Sequence, residues 1–257
     1  MVFSIKYLEN AKYKKRNKMK STIKRSFLVG FLALLIPVGA SAQSPKQILA
    51  AVNQKFMKVN DYSANIHLVF NLPSVTIQPI DGKVYFKKPA KFRIKTKGII
   101  FLPKQNPYYS LAALSDTNSY TAFTTGEEKI GSTGVIVIKV SPNADDNDLI
   151  LGKFWIDKAN SIVLKSQLTT RSSGTIQTES SYGANANVAY ALPDKMTLSV
   201  DMTKFKIPKM VSADINSKPS HSDNEPRKGT GVITLSYSGY AINQKVPDSV
   251  FTEEVTK

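Results

Sequence analysis

The 257-residue sequence contains no cysteine. This excludes a disulfide framework, a thiolate metal site, a cysteine nucleophile and a lipid-anchored cysteine behind an export signal. Histidine is nearly as scarce: there are two, His67 and His221, and neither sits in a metal-binding spacing such as HExxH. His67 falls within an alternating strand pattern and His221 in a polar stretch, so both read as surface or packing residues. No G-x-S-x-G elbow, P-loop or dinucleotide-binding glycine pattern occurs. Asp145, Asp146 and Asp148 form an acidic cluster. An EF-hand counted from Asn143 fails, with Leu149 at its seventh position and Phe154 in place of the twelfth-position glutamate. These absences argue against an enzyme, and they predict no catalytic residue, no cofactor and no metal site.

What is present begins at the N-terminus. Lys12 to Arg25 carries eight basic side chains and no acid, and an apolar run from Phe27 to Ala40 follows. Ala40-Ser41-Ala42 then supplies a small-x-small triplet. This order reads as a secretory signal peptide cut after Ala42. The apolar run is about 14 residues, short of the roughly 20 that span a bilayer core. Met19 gives a more ordinary start to such a signal than Met1. Residues 1–42 hold nine of the 35 basic residues and one of the 19 acids, so 43–257 carries a net charge of +8 instead of +16. The mature chain is expected to be one soluble periplasmic domain, 43–257, with a mild attraction for acidic partners or anionic lipid.

Ser44 and Pro45 predict a helix start. Ile48, Leu49, Val52, Phe56 and Val59 form an apolar stripe at helical spacing, with Lys46, Asn53 and Lys55 off it and Asn60-Asp61 as the stop. Nearly everything after that reads as strand. Ile66, Leu68 and Phe70 alternate with His67, Val69 and Asn71. Asp81-Gly82 is a hairpin signal ahead of Lys83–Lys87. Phe92, Ile94 and Thr96 alternate with Lys91, Arg93, Lys95 and Lys97. Leu111–Leu114 reads as a short helix or a strand end. Val135–Val140 is apolar on both faces, and 162–170 pairs with 175–182 through a Ser-Ser-Gly turn. Met196, Leu198, Val200 and Met202 alternate again, 212–229 is a polar loop, and Val232–Tyr240 is the last strand. The predicted fold is mainly β (α+β): a single curved antiparallel sheet of about ten strands, forming an incomplete barrel with an N-terminal helix and a few covering helices.

Between Lys83 and Lys97 lie seven basic residues and no acid, with Tyr85, Phe86 and Phe92 interleaved. Such a pattern can bind single-stranded nucleic acid, but export argues against that partner. The remaining readings are a solvated strand face, or a docking surface for a membrane or an acidic partner.

Four passages resemble the LolA/LolB lipoprotein-carrier superfamily, including the LolA-like outer-membrane lipoprotein-sorting proteins. They are the helix carrying Ile48, Leu49 and Phe56 with Tyr62 behind it; the string Gly82-Lys83-Val84-Tyr85-Phe86-Lys87-Lys88-Pro89-Ala90-Lys91-Phe92-Arg93; Gly152-Lys153-Phe154-Trp155-Ile156-Asp157 followed by 162–166; and Tyr240-Ala241-Ile242-Asn243 with Val246-Pro247-Asp248-Ser249-Val250-Phe251. Their order and spacing carry the resemblance over most of residues 44–252. It implies an incomplete barrel whose apolar cavity takes acyl chains of lipoproteins or other lipids. It also implies an inner-membrane release complex and an outer-membrane acceptor as partners. Phe70, Phe86, Phe92, Ile94, Leu164, Leu168 and Leu198 are candidate cavity residues, an ordinary filled core being the alternative for each. In the carriers a basic residue before the turn proline affects cargo handling; here that position is Lys88, a lysine where the family has arginine, and Arg93 is a second candidate. The expectation is a monomeric periplasmic carrier that delivers acylated cargo to the outer membrane. The alternative is an envelope lipid sensor or regulator on the same scaffold.

Overall fold

The computed structural model describes residues 43–73, 76–89, 91–97, 116–144, 148–172, 174–203 and 229–252. Helix α1 spans Pro45–Phe56, and Ser44 and Gln47 form a reciprocal capping box at its start. Ile48, Leu49, Val52 and Phe56 bury the stripe expected of them. Two details differ from the sequence pattern. Asn53 is buried with them, and the helix ends at Phe56, so that Val59 packs from a turn and Asp61 opens the first strand.

Ten strands follow: β1 Asp61–Asn71, β2 Ile80–Lys87, β3 Lys91–Thr96, β4 Tyr120–Ile130, β5 Thr133–Pro142, β6 Leu149–Asp157, β7 Ile162–Thr170, β8 Gly174–Ser181, β9 Lys195–Asp201 and β10 Thr230–Ile242. They make one curved antiparallel sheet in the order β3-β2-β1-β10-β9-β8-β7-β6-β5-β4. Strands successive in the chain pair with each other except β3 and β4, and β10 returns to pair with β1. The sheet stays open, with β3 and β4 as its edges. In place of the few covering helices expected, the described residues hold α1 and two short 3₁₀ turns, Val188–Tyr190 and Asp248–Val250.

Strand periodicity sorts the side chains into two faces. Ile138, Phe154, Ser166, Thr178, Leu198, Ile233 and Phe70 lie opposite one another in turn from β5 to β1, forming one row across seven strands. This row belongs to the inner face, the one packed by α1. Val135–Val140 is buried on both sides, as its composition predicts. Ile136, Ile138 and Val140 face inward, whereas Val135 and Val137 join Trp155 in a small outer cluster.

The Asp81-Gly82 hairpin expected from sequence is not a turn. Both residues sit inside β2, where Asp81 faces His67 of β1 and Gly82 faces Ile66. Glycine is required there by close approach: a methyl group at position 82 would meet the Lys95 carbonyl oxygen at 2.5 Å and collide with Thr96 Cγ2. The pair is spent on strand packing, not on chain reversal. Strand β4 carries the long polar segment Thr124–Lys129 and a Gly126 with φ of 147° at a register shift against β5. Its exposed, acid-containing sequence concealed it from a periodicity reading. Leu111–Leu114 and most of the 212–229 segment lie outside the described residues, as does the whole of 1–42.

Candidate functional site: the inner face of the sheet

The inner face is mainly apolar, with Ser166 and Thr178 as buried polar members of its row. Its larger cluster gathers Phe70, Phe86 and Leu198 with Leu68, Ile233, Leu235, Met196 and Val200, and Phe92 and Ile94 pack against it half-buried. Five of the seven cavity candidates are thus brought together. Leu168 lies in the neighbouring cluster, against Phe154 and the helix residues Ile48, Leu49 and Val52. Leu164 is placed apart from the other six. A register shift between Trp155 and Ile156 in the β6–β7 pairing puts it in the outer cluster beside Val135, Val137 and Trp155. No sequence pattern announces such an irregularity, which shifts the alternation of the residues before it, turning Leu164 outward and bringing Val163 inward.

Aromatic rings organise the end of the larger cluster. Phe86 stacks on Tyr62 at 5.5 Å between centroids and meets Phe56 at 5.4 Å, while Tyr240 sits edge-on to Tyr62 at 5.8 Å. These rings tie the last turn of α1 to β1, β2 and β10. At the other end Tyr120 lies against the smaller cluster, and burial, with Asp116 nearby, pushes its hydroxyl up from the ordinary value of 10.0. The inner face therefore presents mainly hydrocarbon and rings, with Ser166, Thr178 and Asn53 of α1 as buried polar groups.

The basic residues around the β2–β3 turn serve the chain itself. Lys88 donates from Nζ to the Met57 carbonyl at 2.5 Å, closing the turn after α1, and its peptide bond to Pro89 is cis. Arg93 Nη1 donates to the Thr252 carbonyl. Lys87 and Lys91 grip the two oxygens of Asp248 at 3.0 and 2.7 Å. These contacts bind the C-terminal segment 246–252 against β2 and β3, and they hold the Asp248 carboxyl below its usual range through the hydrogen bonds from Lys91 and Lys87. Sequence reasoning missed this clasp. The signal lay in Asp248 and the lysine run together, 157 residues apart between Lys91 and Asp248.

The outer face differs in kind. A groove of about 660 Å³ runs over β1, β2, β9 and β10, lined by Asn65, His67, Asp81, Lys195, Ser236 and Ser238 among others. His67 and Asp81 are paired across it at 2.7 Å. None of the seven cavity candidates lines it. Further along the outer face Trp155 lies between Lys153 and Lys165, 4.3 and 5.1 Å from its ring centroid, and donates its indole N–H to Glu128 at 2.7 Å. No group of three or more potential metal ligands occurs among the described residues.

An open antiparallel sheet of ten strands, a helix entering it from the N-terminus and an apolar inner face together define the architecture. Among solved structures it matches a LolA superfamily protein from Nitrosomonas europaea with a TM-score of 0.52, over 82% of this chain and 99% of that one. The chain has a LolA-like fold. Sequence identity across that match is 12%, so the likeness rests on backbone topology. A DUF1329 family protein from Desulfovibrio piger is a second similar structure, with a TM-score of 0.49 and 9% identity over 82% of this chain and 98% of that one. No protein-family model matches the sequence, and no curated protein matches it significantly. Among the described residues of this LolA-like chain, no helix is long and apolar enough to cross a membrane.

Proposed function

We propose that the chain is an exported, non-enzymatic carrier in the cell envelope that holds acyl chains of lipoproteins or other lipids against the inner face of its sheet. The observation that carries this reading is a mismatch of size. Ten strands spaced about 4.8 Å apart make a sheet some 43 Å across when laid flat, whereas the 12 residues of α1 make a helix of about 18 Å. The apolar face is larger than its helical cover. Phe92 and Ile94 near the β3 edge, with Ile77 and Ile80, remain only partly buried. An acyl chain laid beside them gains roughly 0.8 kcal/mol per buried CH₂. Sixteen carbons thus supply on the order of 10 kcal/mol before ordering costs. Holding and releasing such a chain requires no nucleophile, acid or metal.

In this reading Phe92 and Ile94 lie at the entry, Phe70, Phe86 and Leu198 lie deeper, and Leu168 marks the limit set by the helix. Lys88 and Arg93 act on cargo indirectly, by holding the helix turn and the C-terminal segment on either side of the entry. Delivery from an inner-membrane donor to an outer-membrane acceptor is the transport this architecture would serve. The deciding experiment is native mass spectrometry of protein purified from its own envelope fraction, followed by organic extraction. Co-purified acylated peptide or phospholipid at near-stoichiometric level is expected, and replacing Ile94 by Trp should lower it without unfolding the protein. A clean unliganded mass, with no uptake of a fluorescent fatty acid, overturns the proposal.

A further inference from the structure

The lysines of β2 and β3 divide into two groups that sequence alone does not separate. Phe86–Phe92 and Val84–Ile94 are opposed pairs on the inner face, so Lys83–Lys95, Tyr85–Arg93 and Lys87–Lys91 are opposed pairs on the outer face. Lys87, Lys91 and Arg93 are engaged by the C-terminal segment. Lys83 and Lys95 are not: both are exposed, and among the described residues neither has a carboxylate within 4 Å. The same holds for Lys97, just past the end of β3. Asp81, the acid of β2, is paired with His67.

Like charges placed directly opposite across paired strands cost stability. Edge protection explains lysines on β3, an edge strand, but not Lys83, which lies on the strand behind it. We propose that Lys83, Lys95 and Lys97 form a docking face for the anionic phospholipid surface of a membrane. Two features favour a lipid surface over an acidic protein. The charges are lysines, which protein interfaces disfavour relative to arginine and aromatic residues. They also stand together on one exposed face of paired strands, Lys83 directly opposite Lys95, as suits attraction to a charged surface. The array lies on the face opposite Phe92 and Ile94 of the same edge strand, so docking leaves the inner face unobstructed. The inference does not depend on whether that face holds acyl chains.

The test is co-sedimentation of the full protein with mixed phosphatidylglycerol–phosphatidylcholine vesicles and with phosphatidylcholine vesicles alone. Wild type is compared with Lys83→Gln/Lys95→Gln and with Lys129→Gln/Lys245→Gln. The second variant removes the same charge from exposed positions elsewhere, and residues 1–42 are common to all three. Binding to the anionic vesicles that weakens with salt is expected. The Lys83→Gln/Lys95→Gln protein should lose about 30-fold in partition coefficient, from the usual attraction per lysine near an anionic leaflet, while the control pair loses much less. A Lys95→Gln single variant, expected to lose about fivefold, guards against misfolding of the double. Equal losses in both double variants, or equal binding to neutral vesicles, overturn the proposal. So does capture of polyglutamate but not vesicles by wild type, which would make the face a site for an acidic protein. Acyl adduct masses should not change in Lys83→Gln/Lys95→Gln, so a failure here is separable from a failure of the carrier reading.

Discussion

Strands β4–β7 and strands β1–β3 with β8–β10 share one sheet and one inner face, yet that face is covered by different means in the two halves. Over β4–β7, Ile48, Leu49 and Val52 of α1 seat directly on Ile136, Ile138, Phe154 and Leu168. Over the other half, only Phe56 and Val59 arrive from the helix end, and the strands pack largely on one another's side chains. Helix-on-sheet packing fixes volume, because a rigid element must fit both surfaces at once. Side chains without such a backing can shift when a ligand replaces their neighbours. On the proposed carrier reading the first half would serve as the scaffold and the second as the adaptable region, in which the half-buried Phe92 and Ile94 fall.

The largest expected effect separates the halves. Phe154→Ala should cost about 3–5 kcal/mol, because Phe154 is 2% exposed beneath the helix. Phe92→Ala, at the partly buried edge, should cost about 1–2 kcal/mol. Urea unfolding of both variants measures the difference, and equal costs would show that the β3 edge is packed as tightly as the helix-backed half. Next comes Gly82→Ala. Its methyl meets the backbone of Lys95, which cannot rotate away, so about 1–3 kcal/mol of strain is expected. Hydrogen exchange should show β3 amides losing protection ahead of β4–β7. Protection unchanged along β3 would mean that the edge strand is not held by that close contact.

Most of this architecture was legible in the sequence because strand alternation is a local signal. Ile66, Leu68 and Phe70, and likewise Met196, Leu198 and Val200, point inward as their spacing requires. Ser44 and Pro45 marked the helix start because capping is settled within one turn. What was not legible depends on distant partners. Gly82 looked like a turn residue, since the strand whose backbone it must admit lies 13 residues further on at Lys95. Leu164 followed the apparent alternation of β7, and only the shifted pairing with β6 turns it outward. Phe70, Phe86 and Leu198 were identifiable as inward and apolar, but whether such residues line a cavity or fill a core is a matter of packing density, which pattern does not encode.

The turn between α1 and β1 can be loosened at Asn243, which follows β10 with φ of 57°. Its side chain accepts from Asn60 N–H at 2.7 Å and donates to the Lys58 carbonyl at 3.0 Å, holding the turn between α1 and β1. Asn243→Ala removes both bonds and places a less suitable residue in a left-handed conformation. A loss of about 1–3 kcal/mol is expected, whereas Asn243→Gly should recover the backbone share of it. Thermal unfolding compares the two, and an identical loss in both would assign the whole effect to the hydrogen bonds.

The smallest effect concerns pH at the β3 edge. The Asp248 carboxyl is held below its ordinary value of 3.8 by hydrogen bonds from Lys91 and Lys87. Its attachment is therefore fully present above the unfolded value and is lost as pH falls through the lower, folded one. The group is exposed, so the contribution is modest and screened by salt. The readout is accordingly local: the Phe251 amide, which donates to the Asp248 carbonyl at 3.0 Å, should lose its native chemical shift below pH 3.8 in wild type. Asp248→Asn should abolish that pH dependence and leave the amide of Phe154, in the helix-backed half, unmoved. If wild type and Asp248→Asn release the segment at the same pH, the lysine clasp does not anchor it. The contacts of Val246 with Lys87 and of Thr252 with Arg93 would then be what closes this edge of the adaptable half.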